Sequence, residues 1–203
     1  MKKKICILDY GLGNIRSLKN SLNRIGYNCD FFSDALSKNY DVVFIPGVGS
    51  FSKASKLIKQ KKIIDFLEKI KNKSFIFGIC LGMQILMREG EENKKSKGLN
   101  YISGNVKKLD KVDILPSVGF QKVYFNKSTD FKFLTDYSEK KFYFVHSYHA
   151  VPNNKKNIIG YSKYMKIKYC AAIKNQKIFG TQFHPEKSGE IGLNFLKSYL
   201  KNV

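Results

Sequence analysis

The sequence predicts an α/β fold, a mostly parallel sheet flanked by helices with an added antiparallel portion, organised as one unit over residues 1–203. Three observations predict it. Short apolar runs alternate with helix-period segments as far as Met87, short strands and turns take over from Gly98, and helical spacing returns only near the end.

Taken in order, Lys4-Ile-Cys-Ile-Leu8 reads as a buried strand ending at Asp9-Tyr-Gly11. Ile15, Leu18, Leu22 and Ile25 then recur at helical spacing, with Asn14 before them and Gly26 after. Cys29 to Phe32 is a second strand. Tyr40 to Ile45 is a third, stopped by Pro46-Gly47-Val48-Gly49. One helix is expected to carry Leu57, Ile58, Ile63, Phe66, Leu67 and Ile70 on a broad apolar face. Ser74 to Ile79 is a further strand, followed at once by helical spacing through Leu81, Gln84, Ile85 and Met87 and then by the polar run Arg88 to Lys97. Beyond Gly98, strands are expected around Ile102, Val106, Val123 to Phe125, Phe142 to Val145, Ile158-Ile159, Ala171 to Ile173 and Ile178 to Thr181. A last helix places Ile191, Phe195 and Tyr199 on one side.

Hydrophobic residues make up 43% of the 203, enough for a core without disulfides or a structural metal. The four cysteines contain no C-x-x-C pair, and three histidines are too few for a multi-histidine metal site, so neither metal nor cofactor is expected. The basic start lacks the apolar core of a signal peptide, and no segment is long enough for a membrane span; a reducing cytoplasm is the expected compartment. The net charge of +21 raises a nucleic-acid hypothesis. Its lysines are scattered, as in Lys94, Lys95 and Lys97 or Lys155 and Lys156. No zinc finger, basic zipper or aromatic RNA-binding motif accompanies them. A solvated basic surface, with scope for an acidic partner, is the simpler reading.

The chemistry concentrates at Gly78-Ile79-Cys80-Leu81-Gly82. A cysteine at a strand-to-helix junction between glycines has the pattern of a nucleophile elbow, with sulfur in place of the serine oxygen. Such a turn exposes the sulfur at the C-terminal end of the sheet, beside the positive end of a helix. Cys6, Cys29 and Cys170 lack this context. A base is needed, and His184 emerges at the end of the strand Lys177 to Phe183, stiffened by Pro185, with Glu186 two positions on to hold its outer N–H. His146 and His149 have no such follower. The Leu81 N–H and the loop Pro46 to Gly49 can supply donors for an oxyanion. That loop is neither a dinucleotide fingerprint nor a phosphate loop, so nucleotide hydrolysis is unsupported.

Five ordered motifs carry a resemblance: Asp9-Tyr-Gly-Leu-Gly-Asn14, Pro46-Gly-Val-Gly-Ser-Phe51, Gly78-Ile-Cys-Leu-Gly-Met-Gln84, Phe144-Val-His-Ser-Tyr148 and Gly180-Thr-Gln-Phe-His-Pro-Glu-Lys-Ser188. From the first strand to the last helix the chain resembles the class I glutamine amidotransferases, and more narrowly the glutaminase subunits of imidazole glycerol phosphate synthases. The resemblance implies a flavodoxin-like fold and hydrolysis of L-glutamine to glutamate and ammonia. It also implies a heterodimer in which a (β/α)8-barrel cyclase uses the ammonia in histidine biosynthesis. On this chain it makes Cys80 the nucleophile, His184 the acid and base, and Glu186 its orienting carboxylate. It assigns Gly47, Val48, Gly49 and Leu81 to the oxyanion and glutamine-binding region, Gln84 to the glutamine pocket, and Lys187 to the subunit interface. Phe120 and Gln121 fall at the interface or channel, in Val118-Gly119-Phe120-Gln121 where family members usually carry Met-Gly-Trp-Asn. Relatives that supply ammonia to sugar-modifying enzymes are the alternative partner class. No second catalytic unit is legible in the chain, so the ammonia is expected to be used elsewhere.

Overall fold

A computed structural model of the chain describes residues 2–32, 39–110, 112–127 and 129–203. The first strand, β1 (Ile5–Ile7), is buried throughout and leads into helix α1 (Ile15–Arg24). The Asn14 side chain accepts the Ser17 N–H and caps that helix, which buries Leu18 and Leu22. Strands β2 (Cys29–Phe31) and β3 (Val42–Ile45) follow.

Where one helix was expected there are two, α2 (Phe51–Ile58) and α3 (Lys61–Ile70). The reason is periodicity. From Ile58 to Ile63 the apolar pattern steps five positions, about 140° around an unbroken helix. Breaking the helix at Gln60, whose backbone is extended at ψ 135°, lets both side chains reach the core, at 0% and 5% exposure.

Strand β4 (Phe75–Ile79) runs into helix α4 (Leu81–Ile85), which is shorter than the helical spacing suggested. Met87 starts a strand, β5 (Met87–Gly90), and the polar run after it contains β6 (Ser96–Lys97). Pairing of Met87 with Ile102 on β7 (Ile102–Lys108) overrides local helical spacing. The rest of the chain forms β8 (Ser117–Phe125), β9 (Lys141–His146), β10 (Tyr148–Pro152), β11 (Ile158–Tyr164), β12 (Ile167–Asn175), β13 (Ile178–Thr181) and α5 (Gly189–Asn202).

The main sheet has nine strands in the order β2-β1-β3-β4-β13-β12-β11-β8-β9. Pairing is parallel from β2 to β13 and antiparallel from β13 to β9. The antiparallel portion therefore extends the sheet, as expected, but the chain also builds a separate four-stranded sheet, β10-β7-β5-β6. Alternate residues of β3 serve opposite faces of the main sheet. Val42 and Phe44 join a core with Leu18, Phe77, Phe179 and Tyr199, while Val43 and Ile45 join one with Ile58, Leu67 and Met83. Both faces are thus covered, as a parallel sheet requires.

Candidate active site

The site forms where β4 and β13 lie side by side. Gly78 pairs with Gly180 and Ile79 with Thr181, and the Cys80 N–H continues the ladder to the Thr181 carbonyl at 2.7 Å. Cys80 and the segment after β13 therefore leave the sheet at the same end, the C-terminal edge where parallel sheets open a crevice.

Cys80 adopts φ 53°, ψ −109°, a conformation that L-residues rarely hold and that costs about 1–3 kcal/mol unless its surroundings fix it. Those surroundings do. Two residues on, Gly82 packs so closely on β3 that a Cβ there would lie 1.6 Å from the Ile45 carbonyl oxygen. The turn is therefore pinned to the sheet and the sulfur is pushed up into the crevice. Cys80 is 6% exposed and lines a cleft of about 360 Å³ together with Gly49, Leu81, Gln84, His146 and Tyr148.

His184 follows β13 and is fixed on several sides. Its N–H donates to the Tyr143 carbonyl at 2.9 Å, and its own carbonyl accepts the Ser188 hydroxyl at 2.6 Å. Ser188 in turn accepts the Tyr143 N–H at 3.0 Å. The preceding Phe183, fully buried, stacks on Phe142 at 4.2 Å between centroids and meets Phe195 of α5 edge-on at 5.4 Å. The aromatic cluster anchors the strand end that carries the imidazole.

The His184 Nδ1 and Glu186 Oε1 atoms are 2.8 Å apart, with both side chains nearly inaccessible. A carboxylate only accepts, so Nδ1 carries the proton and Nε2 is left for transfer. That Nε2 is buried, and among the described residues it makes no conventional hydrogen bond. Burial by itself would depress the His184 pKa. The negative charge of a Cys80 thiolate and the Glu186 carboxylate overcome that and hold it above the ordinary histidine value. The electrostatics thus couple His184 to Cys80 on one side and to Glu186 on the other.

Gly47, Val48 and Gly49 form the turn after β3. Gly47 is buried against Leu81, whereas Val48 is 38% exposed and lines the cleft with Gly49. Gly49 has φ +104°, which suits glycine and orients the loop beside Cys80. Gln84 is buried on α4, and its amide donates to the Tyr148 carbonyl at 2.8 Å and to Gln182 Oε1 at 3.0 Å.

Phe120, Gln121 and Lys187 are not among the residues that line the cleft. Phe120 is 57% exposed and meets Tyr143 edge-on at 5.7 Å, while the Lys187 ammonium sits over the Tyr143 ring at 6.0 Å. Phe120, Tyr143 and Lys187 thus form one contact patch. Gln121, half-buried beneath it, donates to Ser117 at 2.7 Å and accepts from the Tyr169 hydroxyl at 2.7 Å.

Sequence reasoning passed over three residues here. Ser188 holds the His184 loop. Glu92 puts a carboxylate on the cleft rim, where it accepts the Phe51 N–H at 2.6 Å. Gln182, fully buried, reaches the Cys80 sulfur. Only Gln182 had a legible signal, since a polar residue inside the apolar run Ile178 to Phe183 needs a buried partner.

The model of the family described as glutamine amidotransferase class-I matches residues 6–202. The chain belongs to that family. Among similar members, the imidazole glycerol phosphate synthase subunit HisH of Chlorobaculum tepidum is 37% identical over 200 residues, covering 96% of this chain and 98% of that one. The subunit of the same name from Caldanaerobacter subterraneus is 39% identical over 198 residues, covering 96% of each. The family fold extends to distant structures. A chain of PurLQS from Thermotoga maritima, 18% identical, superposes with a TM-score of 0.75 over 100% of this chain and 99% of that one. As a class-I amidotransferase the chain has the flavodoxin-like α/β architecture of the family. Among its described residues no helix is long and apolar enough to cross a membrane, and no group of three or more His, Cys, Asp or Glu could hold a metal ion.

Proposed function

We propose that this amidotransferase is the glutaminase subunit of an imidazole glycerol phosphate synthase, hydrolysing L-glutamine and passing ammonia to a (β/α)8-barrel cyclase. The observation that carries the chemistry is the His184–Glu186 pair, 2.8 Å apart and buried, beside a cysteine on a strained elbow. Near full-length similarity to HisH subunits supports the choice of partner.

In this reading the Cys80 sulfur attacks the side-chain carbonyl carbon of glutamine. Negative charge collects on the carbonyl oxygen, which faces the N–H groups of Leu81 and of the turn Gly47-Val48-Gly49. His184, protonated through Nε2, gives its proton to the nitrogen as the carbon–nitrogen bond breaks, leaving a thioester and free ammonia. The neutral His184 then takes a proton from water, whose oxygen attacks the thioester, and glutamate leaves as the sulfur is restored. Glu186 keeps Nδ1 protonated and the ring oriented throughout. Gln84 forms part of the glutamine pocket, and the Glu92 carboxylate complements the substrate's α-ammonium group.

The patch of Phe120, Tyr143 and Lys187 fits a partner face, since an exposed aromatic and a cation flank Tyr143, whose backbone carbonyl holds the His184 N–H. Gln121 would lie beneath that contact. Glutamate release, measured with and without the candidate barrel subunit in the wild type and in Cys80→Ala, tests the reading. Release should need Cys80 and rise when the barrel binds. Turnover by C80A, or equal rates with and without the barrel, would refute it.

A further inference from the structure

Four buried polar groups beside Cys80 form a directed chain. The Tyr148 carbonyl can only accept, and it lies 2.9 Å from His146 Nδ1 and 2.8 Å from Gln84 Nε2. That fixes the Gln84 amide with its nitrogen toward Tyr148. The same nitrogen is 3.0 Å from Gln182 Oε1, which fixes the Gln182 amide in turn. Only the Gln182 nitrogen then remains to face the sulfur, at 3.5 Å, an ordinary distance for an N–H donor to sulfur. The orientation follows from donor and acceptor arithmetic, starting at a backbone oxygen whose role cannot be reversed.

Gln182 is 0% exposed and Gln84 4%, so neither amide can exchange these partners for water. The sulfur has two alternatives. As a thiol it can donate toward the Val145 carbonyl, 3.9 Å away, while accepting from Gln182; as a thiolate it can only accept, and Gln182 supplies the donor. Of the two contacts the one from Gln182 is the shorter, and it is available to the sulfur in both forms.

We propose that Gln182 is a positioning residue for the nucleophile: its amide, locked by Gln84 and the Tyr148 carbonyl, donates to the Cys80 sulfur and holds it toward the cleft. The inference rests on the reading of Cys80 as nucleophile and adds to it a residue outside the Cys80, His184 and Glu186 set. Gln84 acquires a second task, because its amide nitrogen is the lock.

The test is the pH profile of Cys80 alkylation by iodoacetamide, followed by peptide mass so that Cys6, Cys29 and Cys170 are scored separately. Gln182→Met keeps the length and removes the donor. Gln182→Glu keeps the shape and offers a carboxylate in its place. Both should alkylate Cys80 about tenfold more slowly at neutral pH, the worth of one hydrogen bond to a charged acceptor, with the profile moved to higher pH. A structural role alone would lower the melting temperature and leave the profile in place. A folded Q182M whose profile overlies that of the wild type overturns the proposal; if Q182M does not fold, Q182E decides by the same criterion. Alkylation needs no turnover, so a failure here is separate from a wild type that releases no glutamate.

Discussion

Replacing His146 with asparagine should make the protein measurably less sensitive to mild acid. His146 is 6% exposed, and its Nδ1 faces the Tyr148 carbonyl while its Nε2 is buried without a partner. Burial pushes its pKa down to about 3; the Tyr148 carbonyl opposes this weakly, and His149 and His184 add to it. The sign follows from linkage. The unfolded chain takes up a proton here near pH 6.5 and the folded chain near 3, so this stability is complete above 6.5 and is lost as pH falls toward 3. Between pH 6.5 and 5 the loss is about 1.5 pH units at 1.4 kcal/mol each, or about 2 kcal/mol. Asparagine keeps a donor where Nδ1 stands and does not titrate. His149 and His184 are present in both proteins, so their titrations cancel in the comparison apart from their coupling to His146. Urea denaturation of wild type and His146→Asn at pH 7 and pH 5 gives the double difference. The wild type should lose about 2 kcal/mol more than the variant over that interval. Equal losses would mean that His146 is not held neutral, and the burial argument would be wrong.

Two other outcomes test the geometry directly. Glu186→Gln keeps the shape but removes the charge-assisted bond to His184, about 1.5–3 kcal/mol, and should lower glutamate release about 10- to 100-fold in steady-state assays with the partner. A loss of threefold or less would contradict the orienting role. Gly82→Ala sets a methyl against the Ile45 carbonyl oxygen, where no rotamer can relieve it. It should cost about 3 kcal/mol or more and lower the thermal midpoint by about 6–12 °C, and a melt within 2 °C of wild type would show that the elbow can yield.

The residues proposed to carry the chemistry were legible as candidates because each stands at a punctuation mark. Cys80 sits between glycines at a strand end, and His184 is followed by proline and a carboxylate. Strand β4 and its neighbours announced themselves as apolar runs. Periodicity failed where tertiary pairing took over. Met87 fits the helical spacing of Leu81 and Gln84, yet it is drawn into the second sheet by Ile102, a partner outside any local window. Strand β10 was missed because His149 and Tyr148 break an alternation that only its pairing with β7 makes sense of. The split between α2 and α3 was visible in the four-residue gap between Ile58 and Ile63, but only once both side chains were required to face the same core. Gln182 was overlooked for a related reason. Its partners, Cys80 and Gln84, lie about a hundred residues away in sequence, and only the β4–β13 pairing brings them within reach.

Strand β13 stands fifth of nine in the main sheet, with β2, β1, β3 and β4 on one side and β12, β11, β8 and β9 on the other. Among the described residues it is the strand that joins the two groups. A chain emerging from the ribosome can assemble its first group once β4 has been made, but the seam has to wait for a segment synthesised about a hundred residues later. His184 arrives with that segment. Closing the sheet and bringing His184 to the edge that carries Cys80 are therefore a single event, and unfinished chains carry the cysteine without its proposed base.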